Sequence, residues 1–232
     1  PTDNITRMTE DKQGRIWLST RGAGLASYNA ISDSFSAIYS DPNNLNTPYS
    51  NDISTIFTAA DGTIWLGYSN AFSSFNPEKN IFRHYVSGSN GIPLIGTISR
   101  FTQTTDGAIW AATQTTGLLH IEPSTNEVNI RSHNVENANS IVSNSLYVVV
   151  ADKDGRIWMS SADSGVSRYD PDEDFATNFI HQDSDVNSLS SNQTSDIFED
   201  SDGNIWIATD QGLSLFSPEK NNFVQYNTEN TN

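Results

Sequence analysis

Short apolar runs alternate with clusters of Gly, Pro, Asn, Asp and Ser along the whole chain. β-Branched and aromatic residues dominate runs such as Ile53-Ser54-Thr55-Ile56-Phe57 and Leu146-Tyr147-Val148-Val149-Val150, which predicts strands. An Asp-Gly turn then leads into a second run, such as Ile64-Trp65-Leu66-Gly67. After a glycine-containing turn comes a third, at Leu25 to Tyr28, Phe72 to Phe75, Leu118 to Ile121, Val166 to Tyr169 and Leu213 to Phe216. A proline turn at Pro77, Pro123, Pro171 and Pro218, with Ala30 in the first copy, precedes a fourth strand. That strand is marked by Phe35, Phe82, Val128, Phe179 and Phe223. Four strands in about 46 residues leave no room for a helix.

The pattern is a repeat. Trp17, Trp65, Trp110, Trp158 and Trp206 are spaced by 48, 45, 48 and 48 residues. Each follows an isoleucine, and three positions before each stands a glycine: Gly14, Gly62, Gly107, Gly155 and Gly203. A four-stranded unit with apolar residues on both faces must bury each face against a neighbour. Radial stacking does so and leaves only short edges, so an all-β β-propeller of about five four-stranded antiparallel blades is expected. A linear β-solenoid competes, but its coils are shorter than this period. In a propeller the tryptophans wedge adjacent blades apart; the other use for such a ring is a carbohydrate platform.

Residues 1–232 then form a single propeller region, with blades at approximately 3–45, 51–90, 96–137, 144–186 and 192–229. The linkers repeat too: Asn46-Thr47-Pro48-Tyr49-Ser50-Asn51 resembles Asn139-Ser140-Ile141-Val142-Ser143-Asn144 and Asn187-Ser188-Leu189-Ser190-Ser191-Asn192. Pro1 to Ile5 reads as the tail of such a linker and Tyr226 to Asn230 as the start of another. The chain is therefore expected to be an excerpt of a larger array, and missing flanks would account for the lack of a signal peptide. Five blades can close into a ring or stand as an open arc, and the sequence allows both.

Charge narrows the function. Twelve Lys+Arg stand against 28 Asp+Glu, a formal net charge of −16. Nucleic acid and anionic membrane surfaces both need the opposite balance. With no cysteine, disulfides, thiolate metal sites and cysteine nucleophiles are excluded. No apolar run is long enough to span a membrane, so attachment would come only through flanking regions. The histidines, His84, His120, His133 and His181, show no metal-ligand spacing; His84, His133 and His181 fall at fourth strands, where solvated rim positions are expected. Asp-rich turns such as Asp152-Lys153-Asp154-Gly155 lack the closing Glu of a calcium loop. No catalytic residue, metal site or cofactor is expected.

Binding is where the repeat leaves freedom. The loops between second and third strands differ from copy to copy: Arg21-Gly22-Ala23, Ser69-Asn70, Gln114-Thr115-Thr116, Ala162-Asp163-Ser164 and Asp210-Gln211. Arg7 and Arg100 occupy the same phase of two first strands, where they can hold an anionic ligand or pair with acids such as Asp196. Candidate ligand contacts are therefore Arg7, Arg21, Asn70, Arg100, Gln114, Asp163 and Asp210, with Tyr68 and Tyr147 as aromatic candidates for a sugar ring. The ligand class is an unknown small molecule, carbohydrate or anionic, or a protein.

The stretch Asp200-Ser201-Asp202-Gly203-Asn204-Ile205-Trp206-Ile207-Ala208-Thr209-Asp210-Gln211-Gly212-Leu213-Ser214-Leu215-Phe216-Ser217-Pro218 resembles the two-component regulator propeller repeat. Blade four repeats it at Asp152 to Trp158, Gly165-Val166 and Tyr169-Asp170-Pro171, while blade two departs with Ala59, Tyr68 and Ala71. The resemblance implies the periplasmic sensor part of a bacterial receptor whose output is a histidine kinase, a hybrid kinase-regulator or a diguanylate cyclase. It implies a larger, seven-bladed or double, propeller, a homodimer in the full receptor, and binding on the loop face without chemistry. Two rival readings are a streptogramin-lyase-like propeller enzyme, which would need a histidine near the axis, and a protein-docking scaffold.

Overall fold

The computed structural model describes residues 4–89 and 91–228. Residues 3, 90 and 229, which bound three of the expected blades, and the linker ends at 1–3 and 229–230 lie outside the described residues. Twenty strands form five four-stranded antiparallel sheets, each ordered first to fourth as in the sequence. The described residues hold no helix. First strands lie innermost and pack on one another in order: Ile5–Glu10, Thr55–Thr58, Ile98–Gln103, Leu146–Ala151 and Thr194–Glu199.

Three local devices recur in the blades. At the first hairpin, Asp11, Asp152 and Asp200 accept a hydrogen bond from the indole Nε1–H of Trp17, Trp158 and Trp206 at 2.8, 2.8 and 2.9 Å. The same carboxylates accept the backbone N–H groups of the turn, so one side chain fixes both turn and wedge. At the third-to-fourth hairpin, Asp33, Asn80, Asn126, Asp174 and Asn221 all take positive φ, a conformation Asn and Asp tolerate better than other side chains. In the linkers, the Asn51, Asn144 and Asn192 side chains accept the backbone N–H of Ser40, His133 and His181 at 2.7–2.8 Å. Their carbonyls accept the N–H of Gly24, Gly117 and Gly165 from the preceding blade. A Cβ on Gly117 would lie 2.3 Å from the Arg131 carbonyl oxygen, so this crossing requires glycine.

The blades stack through four apolar layers. In each, the tryptophan of one blade meets residues of the next: Trp17 contacts Phe75, Trp65 contacts Phe101, Trp110 contacts Tyr169 and Trp158 contacts Phe216. Those four indoles are buried wedges, not carbohydrate platforms. All five markers lie in fourth strands, but in two registers. Phe35, Phe82, Val128 and Phe223 pair with Tyr28, Phe75, Ile121 and Phe216, but the blade-four equivalent is Ala176, opposite Tyr169. Phe179 pairs instead with Val166, at the end of the strand.

Among the described residues, blade five and blade one do not pack on each other as the other neighbours do. Both facing surfaces are bare. Leu213 is 43% exposed, whereas its equivalents Leu25, Phe72, Leu118 and Val166 are all at 0%. Met8 is 71% exposed, against 5% or less for Ile56, Phe101, Val149 and Ile197. The five blades form an open arc.

Candidate functional site

The innermost strands create the site through an irregularity. In blade one, Ile5 pairs with Thr20 and Arg7 with Ser19, leaving Thr6 as a bulged residue. The same slip leaves Ser99, Tyr147 and Ser195 bulged in blades three, four and five. Ser54 holds the matching position in blade two, its N–H donating to the Gly67 carbonyl at 2.8 Å. A bulge re-aims its side chain out of the strand alternation. The result is a collar of five hydroxyl-bearing residues, one per blade. Each lies eleven residues before its tryptophan, the signal that sequence reasoning missed.

Thr6 and Ser54 donate across the blade junctions, to the carbonyls of Ile53 at 2.8 Å and Ile98 at 2.7 Å. The Ser99 hydroxyl repeats neither bond and has no partner. Thr6, Ser54, Ser99 and Tyr147 line a cavity of about 870 Å3, within the range of small-molecule sites. Its wall also carries Arg7, Arg21, Asp52 and Gln114. Tyr147 is 44% exposed there, whereas Tyr68 is buried, with its hydroxyl accepting the Tyr49 N–H at 3.2 Å. Burial pushes the Tyr68 hydroxyl up to about 12; it is a core residue, not a sugar-stacking surface.

The next position of each first strand forms a second layer: Arg7, Thr55, Arg100, Val148 and Asp196. Arg100 in blade three reaches Asp196 in blade five, Nη1 to Oδ1 2.6 Å, while its Nε is buried without a partner. Neither Arg7 nor Arg21 has an ion-pair partner among the described residues. Burial lowers the pKa of the Arg7 guanidinium, the Arg100 charge lowers it further, and Asp196 opposes both. An arginine still remains protonated at any physiological pH.

Of the residues expected at the site, Arg7, Arg21 and Gln114 meet in this cavity and Arg100 lies behind it, ion-paired. Asn70, Asp163 and Asp210 stand on exposed loops outside its lining. The rim histidines make contacts as well. His133 stays exposed as expected, whereas His84 is half-buried and contacts Ser73 Oγ at 2.7 Å and the Leu45 carbonyl at 2.9 Å. His133 and His181 contact the linker carbonyls of Ile141 and Leu189, each at 2.7 Å. His120 stacks on Trp110. All four serve packing or linkers, and none lines the axial cavity. Among the described residues, no cluster of three or more His, Asp or Glu could hold a metal.

Comparisons with known proteins bear on the fold. Residues 1–22 and 188–211 match the two component regulator propeller family. No curated protein matches the chain. Among solved structures, the chain is similar to the extracellular domain described as part of a hybrid two-component system of B. thetaiotaomicron, with TM-score 0.80 and 20% identity over 97% of this chain and 30% of that one. It is also similar to virginiamycin B lyase from Staphylococcus aureus, with TM-score 0.73 and 14% identity over 100% and 73%. A third is the extracellular domain described as part of a one-component system of B. thetaiotaomicron, with TM-score 0.54 and 18% identity over 97% and 37%. The chain thus spans about a third of the length of the two receptor domains. The class is a β-propeller. Two segments of the chain, residues 1–22 and 188–211, carry repeats of the two-component regulator type.

Proposed function

We propose that this chain is the extracytoplasmic sensing part of a bacterial two-component-type receptor, and that it binds a small molecule in the axial cavity. The observation that carries the reading is the hydroxyl collar: Thr6, Ser99, Tyr147 and Ser195 sit at four strand bulges, Ser54 holds the matching position of blade two, and four of the five line the cavity beside an uncovered arginine. The likeness to extracellular receptor domains supports the location and the sensing role. Binding could signal only by favouring one of two receptor states over the other. No step of bond chemistry is assigned to it. A lyase reading needs an axial histidine, and the four histidines are engaged in packing and linkers.

The test is a thermal-shift screen of the 232-residue chain with neutral oligosaccharides and small carboxylates, alongside Tyr147→Ala. Stabilisation by one ligand class, lost in the variant, is the expected result. Equal shifts in both proteins would move the site away from the axis, and no shift with any class would leave a scaffold role.

A further inference from the structure

Resting on the axial-cavity reading, and deepening it, we infer that the ligand carries an oxyanion, carboxylate or sulfate, bound against Arg7, and that Asp196 is a tethered competitor for the same positive charge. The argument begins with charge. The chain carries 12 cationic side chains against 28 acidic ones, so two arginines lining one cavity stand apart from an acidic molecule. Arg7 and Arg21 both line the axial cavity, exposed and without an ion pair among the described residues. Arg100 occupies the register position of Arg7 two blades away, and the two guanidinium groups repel.

One carboxylate serves them both. Asp196 makes a 2.6 Å contact with Arg100 and also attracts Arg7 without contacting it. With Arg21 and Asp52, which also line the cavity, three cations stand against two carboxylates, an excess of one positive charge in a molecule whose net charge is strongly negative. A ligand carboxylate or sulfate would neutralise that excess, and Arg presents a fork of donors matched to such groups. The Ser99 hydroxyl and the Arg100 Nε–H, both buried without partners, supply unused hydrogen-bonding capacity within two adjacent residues of the same strand. The collar hydroxyls around them suit a polyhydroxylated molecule bearing the anion. Within this arrangement Asp196 partly quenches the field the ligand would feel, so removing its charge should tighten binding while removing Arg7 should weaken it.

The experiment is calorimetric titration of the 232-residue chain with sodium sulfate, sodium glucuronate and glucose at constant ionic strength. Wild type is compared with Arg7→Gln and Asp196→Asn, each first checked for native circular dichroism. The expected result is 1:1 binding of sulfate or glucuronate, weakened about tenfold or more in Arg7→Gln and tightened about tenfold in Asp196→Asn. Sulfate alone would identify a free or ester sulfate as the source, and glucuronate alone a carboxylate. If Asp196→Asn fails to fold, Asp196→Glu, which keeps the charge, must leave affinity within about threefold while Arg7→Gln still lowers it. Anion binding unchanged by Arg7→Gln, or weakened by Asp196→Asn, overturns the inference. Glucose binding with no anion binding also overturns it, yet leaves the cavity reading standing. No binding of any probe, together with a blank thermal-shift screen, removes both.

Discussion

At the scale of single residues, the aspartate six positions before Trp17, Trp158 and Trp206 does the most for the fold. In Asp11 it is buried and bonded at once to the Trp17 indole, Arg15 and the turn backbone. Burial alone would raise the Asp11 pKa, but those hydrogen bonds outweigh it and the net shift is downward. Asp200 is held down to about 2, chiefly by the Trp206 indole and Asn204. A carboxyl depressed in the folded state contributes stability above its unfolded pKa near 3.9, and that contribution is lost as pH falls through the folded value. Acid denaturation followed by tryptophan fluorescence should therefore show stability falling between about pH 4 and 2. Asp152→Ala leaves the Trp158 indole N–H and two turn N–H groups without their acceptor and should cost about 1–3 kcal/mol in urea unfolding. Blade three shows a natural variant of this device: Thr104 stands in place of the aspartate and accepts the Trp110 indole at a longer 3.4 Å. Thr104→Asp should therefore be stabilising, and a lowered urea midpoint would contradict the account.

At the scale of elements, strands and turns were legible because turn chemistry and the tryptophan period agree at every repeat. The Asp-Gly turns, the third strands and the repeated linker asparagines all follow from residue types. The functional part was less legible, because a bulge leaves no trace in an alternating pattern. Thr6, Ser99, Tyr147 and Ser195 each look like an ordinary strand residue until pairing shows the slip beside them. Phe179 misleads for the opposite reason: an aromatic is the strongest strand marker, yet its register differs from that of the other four. Loop variability pointed to Asn70, Asp163 and Asp210, but variability between copies marks exposure as readily as binding. The third-to-fourth hairpins offer a direct test of element physics. Asn126 has φ of 63°, and its side chain also accepts the Tyr85 hydroxyl at 2.8 Å. Asn221 has φ of 52° and no such cross-blade bond among the described residues. A β-branched residue is strained at either site, so Asn126→Val and Asn221→Val should each cost about 1 kcal/mol from the backbone alone. Glycine relieves the backbone term only, so Asn221→Gly should be near neutral while Asn126→Gly stays destabilising.

At the scale of the whole molecule, each blade interface is built by one blade's tryptophan entering the next blade's apolar face, so an arc necessarily ends in two unlike surfaces. Blade five presents Trp206 half-buried beside an exposed Phe198 and Leu213, whereas Trp17, Trp65, Trp110 and Trp158 are covered. Blade five is also more apolar there than its siblings: Leu215 and Val224 stand where the other blades place Ser27 and Ser36, Ser74 and Arg83, His120 and Asn129, or Arg168 and Thr177. Equal tryptophans in equal motifs therefore have unequal energetic weight, set by what lies across the interface and not by the motif. Trp158 stacks on Phe179, meets Phe216 edge-on and lies near the Arg168 guanidinium. Removing it opens a cavity between two blades, and Trp158→Ala should cost about 3–5 kcal/mol. Trp206→Ala removes contacts on one side only and should cost about 1–2 kcal/mol, with solvent filling the space. The same asymmetry should appear without mutation: acrylamide should quench the emission of one tryptophan in five readily, and that accessible fraction should vanish in Trp206→Phe. Equal quenching of all five indoles, or equal cost for the two alanine variants, would mean that the face of blade five is covered in solution and that the open arc is not the state the chain adopts.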